Sequence, residues 1–445
     1  MLRYHLRLAL ISFGRTPGLT TLMAFAIALG IAACVITLTV HSAMSANPIP
    51  GKSDRLFTVT MDSWDPNRPA NEDQPELPPA QLTYADATHL YASEIPQRKV
   101  IMYSVSGAVM GGYNERRPLR APTRVTTADF FPMFEVPFQY GKGWGKAADE
   151  SPEPVIVLSR ALNQRLFGGE NSVGRSVRWN DREFRIVGVL GEWLPMPRYY
   201  DLNGPAFAQP EDAYIPWGWS TALELYSTGN ILCWKSEQLE TFRDLMGSEC
   251  NWIQMWVELP DAAMRTRMQT ALDGYWAEQH AAGRFERPRN NRLTDVNLWL
   301  DRQRVVDDDN EVLVVLSFVF LAICLINTVG LLLAKFLKQA STSGLRRVLG
   351  ATQRDIFIQH LIETGLLATL GAVLGLGLGM LGLWGVRALY ANNAGERGGY
   401  EQLAQFDPAS IGWVLLLAVA ATFVAGLYPA WRIGRLQPAS YVKEA

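Results

Sequence analysis

The chain has 445 residues, of which 48% are hydrophobic and 19% charged, and its formal net charge is −2. Soluble domains carry about 25% charged residues, so part of this chain must be strongly apolar. A slightly acidic balance excludes the basic nucleic-acid binders, and the length allows two or three domains.

Residues 1–18 form a basic amphipathic segment with Arg3, Arg7 and Arg15. The run Leu19–Val40 that follows contains no Asp, Glu, Lys or Arg, and neither do Val312–Ala334, Thr364–Val386 or Pro408–Trp431. Each run is about 22–24 residues, roughly 33 Å as a helix, enough to cross a bilayer core. The first run could also be read as a signal peptide, with Ala43-Met44-Ser45 as a weak cleavage site. A signal-peptide apolar region is only about 7–15 residues long, which favours a retained helix. The predicted spans are 19–42, 311–335, 359–386 and 408–431, arranged one plus three around a large 43–310 region.

Charge sets the predicted orientation. Of the 41 Lys and Arg residues, 28 lie in 43–310, leaving 41 − 28 = 13 outside it. Arg3, Arg7 and Arg15 precede the first span, five basic residues (Lys335, Lys338, Arg346, Arg347, Arg354) lie between the second and third, and Arg432, Arg435 and Lys443 follow the fourth. Only Arg387 and Arg397 fall between the third and fourth spans. Lys and Arg accumulate on the cytoplasmic side. Both termini, the 336–358 segment and the 432–445 tail are therefore expected in the cytoplasm of a bacterial cell. The 43–310 domain and the short 387–407 loop are expected in the periplasm, in a multi-pass inner-membrane protein.

In chain order the outer region reads first as a β-α-β unit, with strand "RLFTVTM" (55–61), helix "LTYADATHLYAS" (82–93) and strand "KVIMYSVSGAVM" (99–110). The middle reads as β-rich. "VTTADFFPMFEVPFQYGKGW" (125–144) is broken by Pro and Gly, and "EPVIVLSRALNQRLFGG" (153–169) is a strand and a short helix. "VGRSVRWNDREFRIVGVL" (173–190) is a hairpin turning at Asn180-Asp181. Residues 217–249 lack periodicity and read as an irregular insertion. A second unit closes the domain: strand "WIQMWVEL" (252–259), a helix capped by Asp261 with Met264, Met268, Leu272 and Trp276 on one stripe, and strand "RLTDVNLWL" (292–300). The expected fold class is an α-helical membrane protein with four spans and a large α+β periplasmic domain of two lobes. One lobe is a split β-α-β unit; the β-rich lobe, about 115–205, is inserted between its halves.

Catalytic motifs are missing. There is no G-x-x-x-x-G-K-[ST] and no H-E-x-x-H, and none of His5, His41, His89, His280 and His360 pairs with another at ligand spacing. "FGGENSVG" is accounted for by turns, and Asp307–Asn310 by a solvated charge run. The chain is expected to be non-catalytic, with no metal and no cofactor of its own. Cys34 and Cys324 fall in predicted spans. Cys233 and Cys250 fall in the exported region, where an oxidising compartment permits a disulfide; two unpaired thiols are the alternative.

The spans contain few polar groups, which argues against a channel, and four helices without charged midplane groups argue against a secondary transporter. The stretch "GLRRVLGATQRDIFIQHLIETGLLATLGAVLGLGLG" (344–379) has three parts. A short amphipathic helix sets Leu345, Val348 and Leu349 against Arg346 and Arg347 and ends at Gly350. Thr352–Asp355 makes a capping start for a new helix that carries Ile356, Leu361, Glu363 and Leu366 inward. Gly371, Gly375 and Gly379 then form a small-residue ladder, for packing within the chain or for dimerisation.

This stretch resembles the permease subunits of MacB/FtsX-type ABC transporters, the mechanotransmission class. "GLYPAWRIGRLQPASYVKEA" (426–445) resembles their C-terminal ending, and the motifs from "TTADFFPMF" to "FRIVGVL" resemble a MacB-like periplasmic domain. The resemblance implies a dimeric permease working with a cytoplasmic ABC ATPase dimer, which carries the ATP and magnesium. It implies ATPase-coupling contacts at Gly344, Leu345, Arg346, Arg347, Gly350, Ala351 and Asp355. It also implies export of a substrate from the periplasm, with an adaptor and outer-membrane channel as candidate partners. The alternatives are an FtsX-like scaffold that activates a periplasmic hydrolase and a lipoprotein-extracting permease. The family's Arg-Glu-Ile-Gly run is replaced here by Ser341-Thr342-Ser343-Gly344. The missing acid at Thr342 favours a heterodimer, in which a second permease keeps it, over a homodimer.

Overall fold

The computed structural model describes residues 2–114, 117–306, 308–339, 346, 350–393, 412, 416, 419–420, 423–424 and 426–432. The chain divides into two units, Met1–Ala46 with Val306–Ala445, and Asn47–Val305. Helices α1 (Leu2–Arg15) and α2 (Pro17–Met44) open the first unit. The second unit begins with β1 (Leu56–Thr60), β2 (Leu82–Thr83), α3 (Tyr84–Tyr91), β3 (Arg98–Met110) and β4 (Leu119–Thr126). The single turn α4 (Phe130–Met133), β5 (Phe138–Gly141), the single turn α5 (Ala147–Glu150), β6 (Val155–Leu158), α6 (Arg160–Phe167), β7 (Ser176–Trp179) and β8 (Arg182–Leu190) follow. The unit ends with β9 (Ala213–Pro216), α7 (Trp219–Ala222), α8 (Phe242–Gly247), β10 (Asn251–Glu258), α9 (Ala262–Ala281), β11 (Arg292–Asp295) and α10 (Val296–Arg302). The first unit resumes with α11 (Asp308–Lys338) and α12 (Gln353–Asn393).

The strands join one sheet in the order β11-β1-β10-β3-β4-β9-β6-β8-β5, with β2 on β10 and β7 on β3 and β8. This corrects the expectation of two lobes. The split β-α-β halves and the inserted β-rich part are not separate layers. The 13-residue β3 pairs with β10 on one side and β4 on the other and so carries the sheet across. Both faces are covered, as the period-2 alternation of strands dictates. Phe57, Val59, Ile101, Tyr103, Ile156, Ile186 and Trp252 build one core; Leu56, Val100, Met102, Val155, Leu190 and Trp256 build the other.

Most predicted elements recur with defined caps. Thr83, Ser159 and Asp261 each accept from the backbone N–H three residues on, starting α3, α6 and α9. Met268 and Leu272 of the predicted stripe are buried, joined by Tyr275. The hairpin turns at Asn180, in the left-handed region at φ 49°, with Trp179 opposite Arg182. The expected strand 292–300 stops at Asp295. Its side chain accepts from Leu298 N at 3.1 Å and starts α10 instead, because an Asp followed by four helix-tolerant residues offers a cap that a strand cannot use.

Among the described residues of the first unit three helices are long and apolar enough to span a membrane, at Pro17–Met44, Asp309–Lys338 and Gln353–Ala388. The expected fourth span, 408–431, lies mostly outside the described residues; those described there are helical. The 387–407 loop is described only to 393. Helix α2 lies between the other two spans. Gly30 lets it approach α11 at Leu321, and the α12 glycines face α2 at Ile27, Ile31 and Val35.

Candidate functional site

The residues expected to couple to an ATPase lie where α11 ends and α12 begins. Of these, Gly344, Leu345 and Arg347 lie outside the described residues, as does Thr342. Gly350 turns the chain at φ 102°, a conformation that favours glycine, and Ala351 N donates to Arg346 O at 3.0 Å. Thr352 and Asp355 form the expected cap. Asp355 N donates to Thr352 Oγ1 at 3.2 Å, and Thr352 N donates back to Asp355 Oδ2 at 3.0 Å. Arg346 Nη1 donates to Gln359 Oε1 at 2.9 Å, tying this turn to the first helical turns of α12. From this cap α12 continues without interruption into its apolar span.

The glycine ladder faces α2 of the same chain. A Cβ on Gly375 would lie 2.8 Å from Ile31 Cβ and 2.9 Å from the Ala28 carbonyl. One on Gly371 would lie 2.7 Å from Ile27, and one on Gly379 3.0 Å from Val35. Of the two readings open for the ladder, packing within the chain is the one seen among the described residues.

Farther along α12, about 15 Å from the cap, sits a buried polar cluster whose assembly the sequence did not reveal. Lys335 Nζ of α11 lies 2.7 Å from Glu363 Oε1 of α12, and both side chains are essentially inaccessible. Ser12 of α1 donates to the same oxygen at 2.5 Å, and Lys335 reaches Thr20 of α2 at 3.3 Å. Gln339 donates to Ser12 Oγ at 3.0 Å. The signal was present as two ionisable residues within or at the edge of apolar runs, which membrane segments rarely tolerate unpaired.

The 47–305 unit holds a second buried charge network. Arg124 of β4, fully buried, donates through Nη2 to Asp201 Oδ2 at 2.6 Å and to Glu211 Oε1. Arg198 donates to Glu211 at 3.3 Å, Tyr200 to Glu211 at 3.1 Å, and Gln254 to Asp201 at 3.2 Å. Burial pushes both carboxyls up, but the Arg124 and Arg198 charges outweigh it and hold both below the usual carboxylate range. The network pins the 193–212 loop to the sheet.

A groove of about 650 Å³ lies nearby in the chain, lined by Phe131, Phe138 and Trp144 with Glu135, Lys142 and Lys146. Behind it Asp149 accepts from Ala128 N and from Trp144 Nε1 at 3.0 Å. Burial raises its pKa to about 6 in spite of those hydrogen bonds.

Cys233 and Cys250 are joined as a disulfide that ties the irregular insertion to β10, while Cys34 and Cys324 are free and buried. Among the described residues no group of three or more His, Cys, Asp or Glu side chains could hold a metal ion. The triplet Gly51-Lys52-Ser53 superficially suggests a phosphate loop, but Ala46 stands at its first glycine position and strand β1, not a helix, follows. Lys52 is already paired, 3.3 Å from Glu258 and 2.9 Å from the Pro132 carbonyl.

The MacB-like periplasmic core domain matches residues 20–275, more than half of the chain, and the FtsX-like permease C-terminal domain matches 314–438. The pyoverdine export ATP-binding/permease protein PvdT of Pseudomonas fluorescens is 21% identical over 94% of this chain and 56% of its own length. The macrolide export ATP-binding/permease protein MacB of Bdellovibrio bacteriovorus is 24% identical over 67% of this chain and 40% of its own length. An uncharacterized ABC transporter permease protein of Mycobacterium tuberculosis is 28% identical over 32% of this chain and 16% of its own. The chain thus spans at most about half the length of these relatives. The periplasmic region of MacB from Actinobacillus actinomycetemcomitans superposes with a TM-score of 0.37 at 14% identity, covering 59% of this chain and 98% of that one, a likeness too slight to argue from. By the two domain matches and their order along the sequence, the chain belongs to the MacB/FtsX-type family of ABC transporter permeases, membrane proteins with a MacB-like periplasmic domain.

Proposed function

We propose that this chain is a non-catalytic permease subunit that couples ATP hydrolysis on a separate cytoplasmic ATPase to movement of its periplasmic domain, driving export of a substrate from the periplasm. The observation that supports this is the continuity of α12. It starts at a capped turn beside Arg346 and runs unbroken into the membrane span. At 1.5 Å per residue such a helix moves as a rod, so a push on its first turn is felt along its whole length. Transmission of this kind needs an element whose position both ends can bias.

The basic end of the unit, with Arg346, Arg347 and Arg354, is placed in the cytoplasm by the positive-inside rule. The ATPase contacts are Gly344, Leu345, Arg346, Arg347, Gly350 and Ala351. Asp355 acts there through the cap, because its carboxylate is already engaged by Thr352. A second permease chain completes the dimer and supplies the acid missing at Thr342. Macrolides and pyoverdine appear in the relatives' names; the cargo proposed here is a molecule of that bulky, periplasm-accessible kind.

The test is Arg346→Glu with Arg347→Glu in the full chain, co-expressed with its ATPase. Stimulated hydrolysis should fall to the basal level while membrane insertion is unchanged. Stimulation that survives the double charge reversal would refute the assigned interface.

A further inference from the structure

Three helices of the membrane unit meet at one carboxylate. Glu363 Oε1 takes Lys335 Nζ at 2.7 Å from α11 and Ser12 Oγ at 2.5 Å from α1. Through Lys335 the contact extends to Thr20 at the start of α2, at 3.3 Å. Lys335 is also seated 4.7 Å from the ring centroid of Phe13, again on α1. Glu363 lies ten residues beyond Gln353, about 15 Å along α12 from its capped start.

The other carboxylate oxygen, Oε2, faces the ring of His360 on the same helix, 3.6 Å from its Nδ1, and both residues are buried. One oxygen is thus held from α11 and α1, while the second faces an imidazole on its own helix. A shift of α12 against α11 and α1 would break only the first set of contacts.

Stability alone does not call for this arrangement. A buried ion pair is often matched or bettered by apolar residues of similar size. What the pair provides is a contact that is either made or broken, set by the register of the two helices. Apolar packing would let them slide by degrees.

We propose that Glu363, held by Lys335 and Ser12, is a positioning residue that locks the start of α12 to α11 and α1, so that these helices move together when the coupling segment is displaced. This rests on the coupling function proposed above. It goes beyond it by naming the joint that fixes which helices travel with α12.

The experiment uses the full chain in lipid nanodiscs with Cys34 and Cys324 replaced by Ala. Spin labels at Leu10→Cys on α1 and Leu370→Cys on α12, both exposed positions, report the α1–α12 distance without any ATPase. The unmodified pair should give one narrow distance distribution. Lys335→Met with Glu363→Met should insert and melt like the parent but give a broadened or two-population distribution. Its ATPase stimulation should be roughly fivefold lower or less, in the range of distal coupling effects. The reversed pair, Lys335→Glu with Glu363→Lys, should recover the narrow distribution, and it serves as the second variant if the Met pair does not fold. A Met pair as narrow as the parent overturns the positioning role. A broadened Met pair that still stimulates the ATPase fully overturns its part in coupling. If the parent itself never stimulates the ATPase, the proposed function fails, and the distance distributions still decide whether the lock exists.

Discussion

Arg124→Met in the outer domain tests whether the buried charge network carries the stability that its geometry implies. Arg124 is fully buried and meets both Asp201 and Glu211, while Arg198 stands farther off at 3.3 Å from Glu211 and 3.9 Å from Asp201. Methionine fills much of the arginine volume, so the main loss is charge. Two buried carboxylates then share one more distant cation. Removing one partner from a buried pair costs about 3–5 kcal/mol. A domain of this size shifts about 2–4 °C per kcal/mol, giving a drop of roughly 10 °C. The assay is thermal unfolding of the full chain in detergent, followed by tryptophan fluorescence. Most of the tryptophans lie in 47–305 and therefore report that unit. The effect has a definite pH sign. In the parent both carboxyls sit below the usual range, so their contribution is present at neutral pH and is lost only as pH falls through those low values. In the variant the missing cation pushes them up, and protonation relieves the repulsion as pH falls. The gap between parent and variant should therefore narrow from about pH 7 towards pH 4. Adding Asp201→Asn and Glu211→Gln to Arg124→Met should recover most of the loss. A shift under about 2 °C at pH 7, or a gap that widens on acidification, would refute the reasoning.

Gly375→Ala should destabilise the membrane unit by about 1–3 kcal/mol, because the added methyl meets Ile31 and the Ala28 backbone. Gly377→Ala, with nothing within 4 Å, should be neutral or stabilising in the same unfolding assay; equal effects at the two positions would count against close α2–α12 packing. For Asp149 the folded-state pKa is raised to about 6 from 3.8, so the folded form holds its proton more tightly and stability falls as pH rises between those values. Asp149→Asn should remove that loss, roughly 2–3 kcal/mol across the window, and parallel pH–stability curves for the two proteins would exclude it.

The sequence by itself determined what depends on local pattern. Charge-free runs longer than a bilayer core mark helices wherever they occur, because an unsatisfied backbone is not tolerated in lipid. Asp261 and Thr352 announce helix starts because a cap is made within three residues of itself. The hairpin at Asn180 is legible for the same reason. The 292–300 segment failed because strand propensity and an Asp cap compete there, and α10 won only once Val296 and Trp299 were buried against the sheet. Tertiary structure alone decided the rest. A period-2 pattern says that a strand has two faces, not which strand lies beside it, so the continuity of β3 with both halves of the sheet was invisible and two lobes were expected. The spacing of Gly371, Gly375 and Gly379 states that a helix approaches closely but not which one; α2 was supplied by the packing. Lys335 and Glu363 each had an ordinary local reading, as a flanking charge and an inward polar residue, and Ser12 drew none. Only the meeting of α1, α11 and α12, separated by up to 351 positions in the chain, turned them into one buried contact.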